Sequence, residues 1–360
     1  MSAQITRKSS DDHKQPLPPP PPGVMVDRAH EPVGSALLLA EWVPAAPVAS
    51  HGRLPALPPA PRGLIDLGPA GALRVTGPDR ESWLQGMQTG DLAAAPEGGA
   101  APGVFLGTRG KTVADGLLWR FKDSVVVTVR PDRVGPLAAH LDKLLIMEDA
   151  ELSPATGLHR LRFCPGCDAG DVRAPLGHDA GPALLAALAE VRGTPGPLGF
   201  DILVTESQAQ ALLAALPERP SEESLERWRV ALGVPLAGKD FEEETNPLEA
   251  GLDAQISFDK GCYVGQEVIA MATYRGRVQW NLVRLEVEGA PPSSGTPLEP
   301  ARGGKGRVTS AVQVGAVSLL LGIVHRERIV PGSTVPLQDG RVATVLGLPF
   351  GSRPGAGVCE

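Results

Sequence analysis

The sequence predicts an α+β fold in which two related α+β modules are followed by a small C-terminal β-barrel. Helical and two-residue periodicities alternate from Gly63 to about residue 280, and the strand and helix pattern of the first half recurs in the second. After Trp280 the helical signal stops, and short apolar runs set between Gly and Pro clusters take over. With 360 residues, 42% of them hydrophobic, the chain can bury a core in two or three domains. The expected boundaries are a proline-rich, mostly disordered tail at 1–60, an α+β region at 61–280, and a barrel with a short tail at 281–360.

The first 60 residues hold Pro16, the run Pro18 to Pro22, and further prolines from Pro32 to Pro59, which remove backbone donors and resist packing. Within this stretch, Ser35 to Trp42 is apolar enough to dock or to form a helical turn. Leu73 to Thr76 then reads as a strand, and Pro78 opens a helix with Trp83, Leu84 and Met87 on one face. Strands at Leu117 to Phe121 and Ser124 to Arg130 flank a Lys122-Asp123 turn, and Leu137, Leu141, Leu144 and Leu145 follow at helical spacing. The second module offers a helix around Leu184 to Val191, a strand at Phe200 to Val204 and a helix carrying Leu212, Leu213 and Leu216. Ser221 caps a helix that places Leu225, Trp228 and Leu232 on one face and closes at Gly233, with Pro235 beyond. The last strands are Leu282 to Val287, Arg307 to Val312, Val317 to Val324 and Val342 to Leu346.

The charge balance, 34 Lys and Arg against 41 Asp and Glu for a net −7, favours solubility and disfavours wrapping of nucleic acid. No apolar run reaches the ~18 residues that span a bilayer, and the N-terminal sequence is polar and then proline-rich, so no membrane partner and a cytoplasmic location are expected. Four cysteines are too few for a secreted disulfide scaffold, which leaves reduced thiols, redox groups or metal ligands.

The densest chemical signal is Lys260-Gly261-Cys262-Tyr263-Val264-Gly265-Gln266-Glu267. A thiol reacts or ligates as thiolate, which nearby cations and backbone N–H groups favour, and Lys260 and the flanking glycines offer both. Gly261 and Gly265 allow unusual backbone angles and close approach of a ligand, while Gln266 and Glu267 add hydrogen-bonding groups. On residues alone, a Cys buried in a glycine-rich turn is an equal alternative. The run resembles the K-G-C-[FYW]-x-G-Q-E signature of the YgfZ/GcvT-like folate-binding family. The resemblance extends from Gly63 to Gly351. It takes in Leu73 to Asp79, the stretch Trp83-Leu-Gln-Gly-Met-Gln-Thr-Gly-Asp91, Gly110-Lys111 with Ala114-Asp115, Gly306 to Ser310 and Leu346 to Phe350.

That resemblance implies two α+β modules and a barrel arranged as a ring around a central folate site. It also implies tetrahydrofolate or a derivative as cofactor, and a role in assembling or repairing iron–sulfur clusters of client enzymes, including radical enzymes that modify tRNA. Cys262 is then the functional thiol and Lys260 its tuning cation, with Tyr263, Gln266 and Glu267 shaping the site. The alternative is a tetrahydrofolate-dependent aminomethyltransferase or other one-carbon transferase. Against it, the glycine-cleavage branch carries Gly-Tyr-Thr-Gly-Glu-Asp-Gly where this chain has Gly193 to Gly199, so Pro197 replaces a pterin-holding carboxylate that proline cannot imitate. The branch's Asp-Asp pair is reduced to Ala114 and Asp115. For it, Arg229-Val-Ala-Leu-Gly-Val-Pro235 and Asn246-Pro-Leu-Glu-Ala-Gly-Leu252 resemble its substrate-side segments. Glu249 could then meet pterin donors and Arg229 folate carboxylates. The structural reading puts Arg229 on the solvent side of its helix and Glu249 at the cap of a turn. Met271 stands where relatives usually have Arg.

Cys164-Pro-Gly-Cys167 is a C-x-x-C, but no second C-x-x-C or His cluster completes a zinc site, and a loop with incidental thiols is the simpler reading. Between Tyr274 and Arg328, eight basic side chains face four acidic ones, a net +4 that reads as solvated surface or, less favoured, as an RNA- or polyglutamate-facing stripe.

Overall fold

The computed structural model describes residues 57–167, 192–274, 278–299 and 304–352, all within one compact unit. The expected tail up to residue 56 and the helix expected around Leu184 to Val191 lie outside the described residues.

The first module is built from β2 (Gly71–Thr76), α1 (Arg80–Met87), β3 (Ala100–Leu106), β4 (Thr112–Arg120), β5 (Val125–Val129), α2 (Val134–Asp142) and β6 (Glu151–Pro154), with β1 (Leu64–Pro69) preceding them. Its antiparallel sheet runs β3-β4-β5-β2-β6. The β-branched run Val125-Val-Val-Thr-Val129 suits the sheet's centre, and Lys122-Asp123 turns the chain between β4 and β5, with Phe121 N–H on Ser124 O at 2.9 Å. Because strand side chains alternate, Leu73, Val75, Val125 and Val127 share a face with Trp83 and Leu84 of α1 and Leu137 and Leu141 of α2. Each such aliphatic side chain contributes about 1.5–3 kcal/mol by leaving water. The opposite face, with Trp119 and Val126, packs against Leu203 of the second sheet.

That second sheet is β1-β7-β9-β8, from β7 (Leu158–Phe163), β8 (Arg192–Gly196) and β9 (Gly199–Thr205). The first described strand therefore belongs to the second module, with Leu64 opposite Phe163. α3 (Glu206–Ala215) starts at Thr205, whose side chain accepts from Gln208 N–H in a capping box, and lays Ala209 and Leu212 on the Leu161, Phe163, Phe200 and Ile202 face. On the other face Arg160 and Arg162 of β7 both grip the buried Asp201 of β9. Burial alone would raise the Asp201 carboxyl, but the two guanidinium groups hold it below the usual carboxylate range.

The third unit is β10 (Trp280–Glu288), β11 (Arg307–Val314), β12 (Val317–His325), β13 (Thr334–Pro336) and β14 (Val342–Gly347), in the order β11-β12-β10-β14-β13. Pro297 bridges Arg307 and Leu298 bridges Leu337, so one short segment touches both ends of this sheet. Aliphatic side chains on its inner face, among them Leu285, Val308, Leu320 and Val335, form a core of their own. α4 (Glu222–Leu232) covers the outer face through Val230 and Ala231, with Leu57 alongside, so packed chain begins upstream of Gly63. Ser221 caps its start and Gly233, at φ +79°, its end.

Arg229 holds α4 to this sheet. All five of its N–H groups are engaged: on both Glu226 oxygens, on Val234 O, on Asp240 Oδ2 at 2.6 Å and on Ser310 Oγ. Asp240, fully buried, also accepts from Thr309 and Ser310 hydroxyls and Leu236 N–H. Removing one partner of a buried pair strands the other. Asp240→Ala should therefore cost about 3–5 kcal/mol, read as a lower urea midpoint with an unchanged slope. For Asp201, whose folded carboxyl lies below its unfolded 3.8, the stability it supplies is present above that value and is lost as pH falls through the folded one. Asp201→Asn should flatten the acid limb of a stability–pH curve.

Candidate functional site

The signature run forms a loop that leads into α5 (Gln266–Tyr274) and lies on the end of α1. Val264 N–H donates to Gly86 O at 3.0 Å, and Lys260 Nζ donates to Gln85 O and Gln88 O at 2.6 and 2.5 Å. Upstream, Ser257 N–H reaches Thr89 O and Thr89 Oγ1 reaches Gln255 O. Between these ties Cys262 is exposed and forms no hydrogen bond with a described residue. Tyr263 points inward, onto a core with Val104 and Leu106 of β3, Phe241, Leu252 and Ile269.

Two glycines set the fit of this loop against the β3–β4 hairpin. Gly265 has φ +82°, and a Cβ there would lie 3.1 Å from that of Leu106; a Cβ on Gly110 would lie 2.6 Å from Val268. The hairpin turn, the end of α1 and the cysteine loop thus meet, although they are far apart in sequence.

Burial pushes the Lys260 ammonium down to about 8 against the opposing pull of Asp91, and its charge sits 5.1 Å from the Tyr263 ring centroid. Its hydrogen bonds go to backbone carbonyls, with none to Cys262. Sequence reasoning places Lys260 beside the thiol and misses Gln85 and Gln88 as its partners; the only signal is that both lie in a segment matched to the same family.

Asp115 of β4 is partly exposed to solvent yet crowded by protein. This desolvation raises its carboxyl above the usual range, with its own N–H, Arg130 and Arg160 opposing, and no other described residue donates to its side chain. Glu249 is half-buried in a turn whose carbonyl accepts from Leu282 N–H, and its carboxylate has no hydrogen-bond partner among the described residues. Gln266 is half-exposed and Glu267 exposed at the start of α5. Arg229, expected either at solvent or at a folate carboxylate, is at neither: it is 5% exposed and has no N–H left to give.

Cys164 and Cys167 are buried and not joined in a disulfide, and they sit in a tight turn with Cys167 N–H on Cys164 O and Gly63 N–H on Cys167 Sγ. Burial and the neighbouring Cys167 push the Cys164 thiol up to about 12, despite Arg162. Among the described residues no three His, Cys, Asp or Glu side chains gather as metal ligands. In the basic stretch, Arg284 is buried and Arg328 pairs with Glu299, which thins any surface stripe. No helix among the described residues is long and apolar enough to cross a membrane.

No protein-family model matches the sequence. An aminomethyltransferase of Rubrobacter xylanophilus is 28% identical over 76% of this chain and 82% of its own length. A mitochondrial iron–sulfur cluster assembly factor of Mus musculus is 27% identical over 62% and 66%, and the tRNA-modifying protein YgfZ of Vibrio vulnificus 26% over 70% and 78%. Among solved structures, the glycine cleavage system aminomethyltransferase T of Bartonella henselae superposes with a TM-score of 0.60 at 19% identity, covering 81% of this chain and 88% of that one. These similarities support a YgfZ/GcvT-like family for the chain. The fold is accordingly GcvT-like, with several sheets and few helices.

The contrast between the thiols of this protein is testable. At pH 7.5 the Cys164 thiol should be almost wholly protonated. Peptide-resolved alkylation with iodoacetamide should label Cys262 more than ~100-fold faster than Cys164. Comparable rates would mean that Cys262 is covered in solution.

Proposed function

We propose that this protein binds a folate and supports assembly or repair of iron–sulfur clusters in client enzymes, with Cys262 as the group that meets the client or its cluster. The observation that carries the reading is the exposed Cys262 on a loop tied down at both sides, with no His or carboxylate bonded to it. A nucleophilic enzyme wants a base within hydrogen-bond reach of its thiol, whereas a thiol that ligates soft metal ions from a partner wants access and a fixed place. The names of the murine and Vibrio relatives support this class of role.

Folate enters on Asp115. A desolvated carboxyl that accepts from no other described residue suits a ligand that brings its own N–H donors, as a pterin ring does. Bound folate would supply a one-carbon carrier; the chain's residues would bind and orient it, with Asp115 and Glu249 as candidate acceptors and Gln266, Glu267 and Tyr263 around the cysteine loop. Arg229 is left out of this set. A ring of the modules about a central folate cleft, closure of the third sheet into a barrel, and a cytoplasmic site of action belong to the same proposal; the murine relative is named as mitochondrial.

The second reading, a tetrahydrofolate-dependent one-carbon transferase, draws on the GcvT-like fold and the aminomethyltransferase relative. Pro197, in the turn between β8 and β9, speaks against aminomethyl transfer. Two measurements decide. Calorimetry with tetrahydrofolate and its formyl and methylene forms should show binding that Asp115→Ala weakens at least about tenfold; no heat and no thermal protection would rule folate out as the ligand. Cys262→Ser should fold normally and fail to restore iron–sulfur client activities in a deletion strain, and full complementation would show the cysteine to be dispensable. Aminomethyl transfer or demethylation with tetrahydrofolate would favour the second reading.

A further inference from the structure

We propose that Lys260 is a positioning residue: its ammonium ties the Cys262 loop to the carbonyl end of α1 and does not serve as the counter-charge of the thiol. This rests on the reading of Cys262 as the functional group.

A helix leaves its last carbonyls without intrahelical partners, and they need donors from elsewhere. α4 meets this need itself, because Gly233 in the left-handed region turns its N–H back onto Arg229 O and Val230 O. α1 has no such cap. Its C-cap residue, Gln88, is extended at φ −141° and ψ 170°, and its last turn carries no basic residue.

The missing donors come from the signature loop, 175 residues beyond Gln85. Lys260 Nζ donates to Gln85 O and Gln88 O, and Val264 N–H donates to Gly86 O. A cation at this end of a helix also meets the negative pole of its aligned peptide dipoles. Two of the three N–H groups of the ammonium are thus assigned, and its charge lies 5.1 Å from the Tyr263 ring centroid. The attachments flank Cys262 two residues to either side, so the thiol sits at the crest of a clamped arch. Gly261 and Cys262 themselves are exposed, and nothing lies within 4 Å of where a Cβ on Gly261 would be. What Lys260 supplies to Cys262 is a fixed place.

The test uses the full-length protein and two readouts: hydrogen exchange at the Val264 amide, and the pH at which Cys262 alkylation is half-maximal. Lys260→Met keeps the aliphatic stem and removes the donors. It should lower Val264 protection by about tenfold or more while the alkylation midpoint stays put. Lys260→Arg, which keeps donors and charge, should recover protection to within about threefold of wild type. A midpoint that rises in Lys260→Met with Val264 protection intact would make the lysine a counter-charge and overturn the proposal, as would no change in either readout. Should Lys260→Met fail to fold, Lys260→Gln keeps neutral donors: intermediate protection at an unchanged midpoint supports the clamp, and a raised midpoint at full protection overturns it. Neither readout involves client enzymes, so the outcome is independent of whether Cys262→Ser complements.

Discussion

The ion pair between Arg229 and Asp240 is the joint on which the second half of the structure depends. Both groups are buried, and each is saturated by its neighbours: helix α4, the turn at Val234 to Leu236, and Thr309 and Ser310 of β11. A charge taken out of water is tolerated only when its hydrogen-bonding capacity is filled. The filling here comes from three separate parts of the chain, so none of them can move without leaving a charge unanswered. The segment that follows, from Phe241 to Ile269, is laid against Val104 and Leu106 of β3 and carries the cysteine loop with it. The position of Cys262 is thus set from two directions, by apolar packing beneath and by the carbonyls of α1 at the side.

Much of this order is legible in the sequence where local chemistry decides it. Ser221 and Gly233 bracket α4 because one offers an oxygen to orphan N–H groups and the other accepts a left-handed conformation. The Lys122-Asp123 turn and the run of valines mark β4 and β5, and the cluster of Gly, Pro and β-branched runs marks the strands after Trp280. β1, β3 and β6 escape such a reading. Leu64-Ile-Asp-Leu-Gly-Pro69 and Ala100-Ala-Pro-Gly-Val-Phe-Leu106 hold glycine and proline within strands, which local propensity reads as turns. Pairing with neighbouring strands overrides that preference.

The site shows the same division. The eight-residue signature marks the loop, and Gly265 is needed for the reason its neighbours suggest. The partners of Lys260 and Arg229 are not legible, because they are fixed by tertiary contacts that leave no local trace. A buried arginine whose every N–H is taken looks, in a linear sequence, the same as one held ready for a carboxylate ligand. Asp115 differs in the opposite sense: it sits in a regular strand, and only the lack of a donor from any other described residue sets it apart.

The placement of β1 bears on how the chain is made. Leu64 pairs with Phe163, and Pro69 with His159, so a strand synthesised early waits for one that is nearly a hundred residues behind it. At ordinary rates of synthesis the delay is about 5–20 s, during which the first module can assemble while β1 shows an unpaired edge. The chain then returns to enclose its own earlier part. Cutting between the modules would not separate them, because the strand needed by the second would stay with the first. What looks like a tandem of two units in the sequence is, in its assembly, a single closure that starts and ends at Leu64.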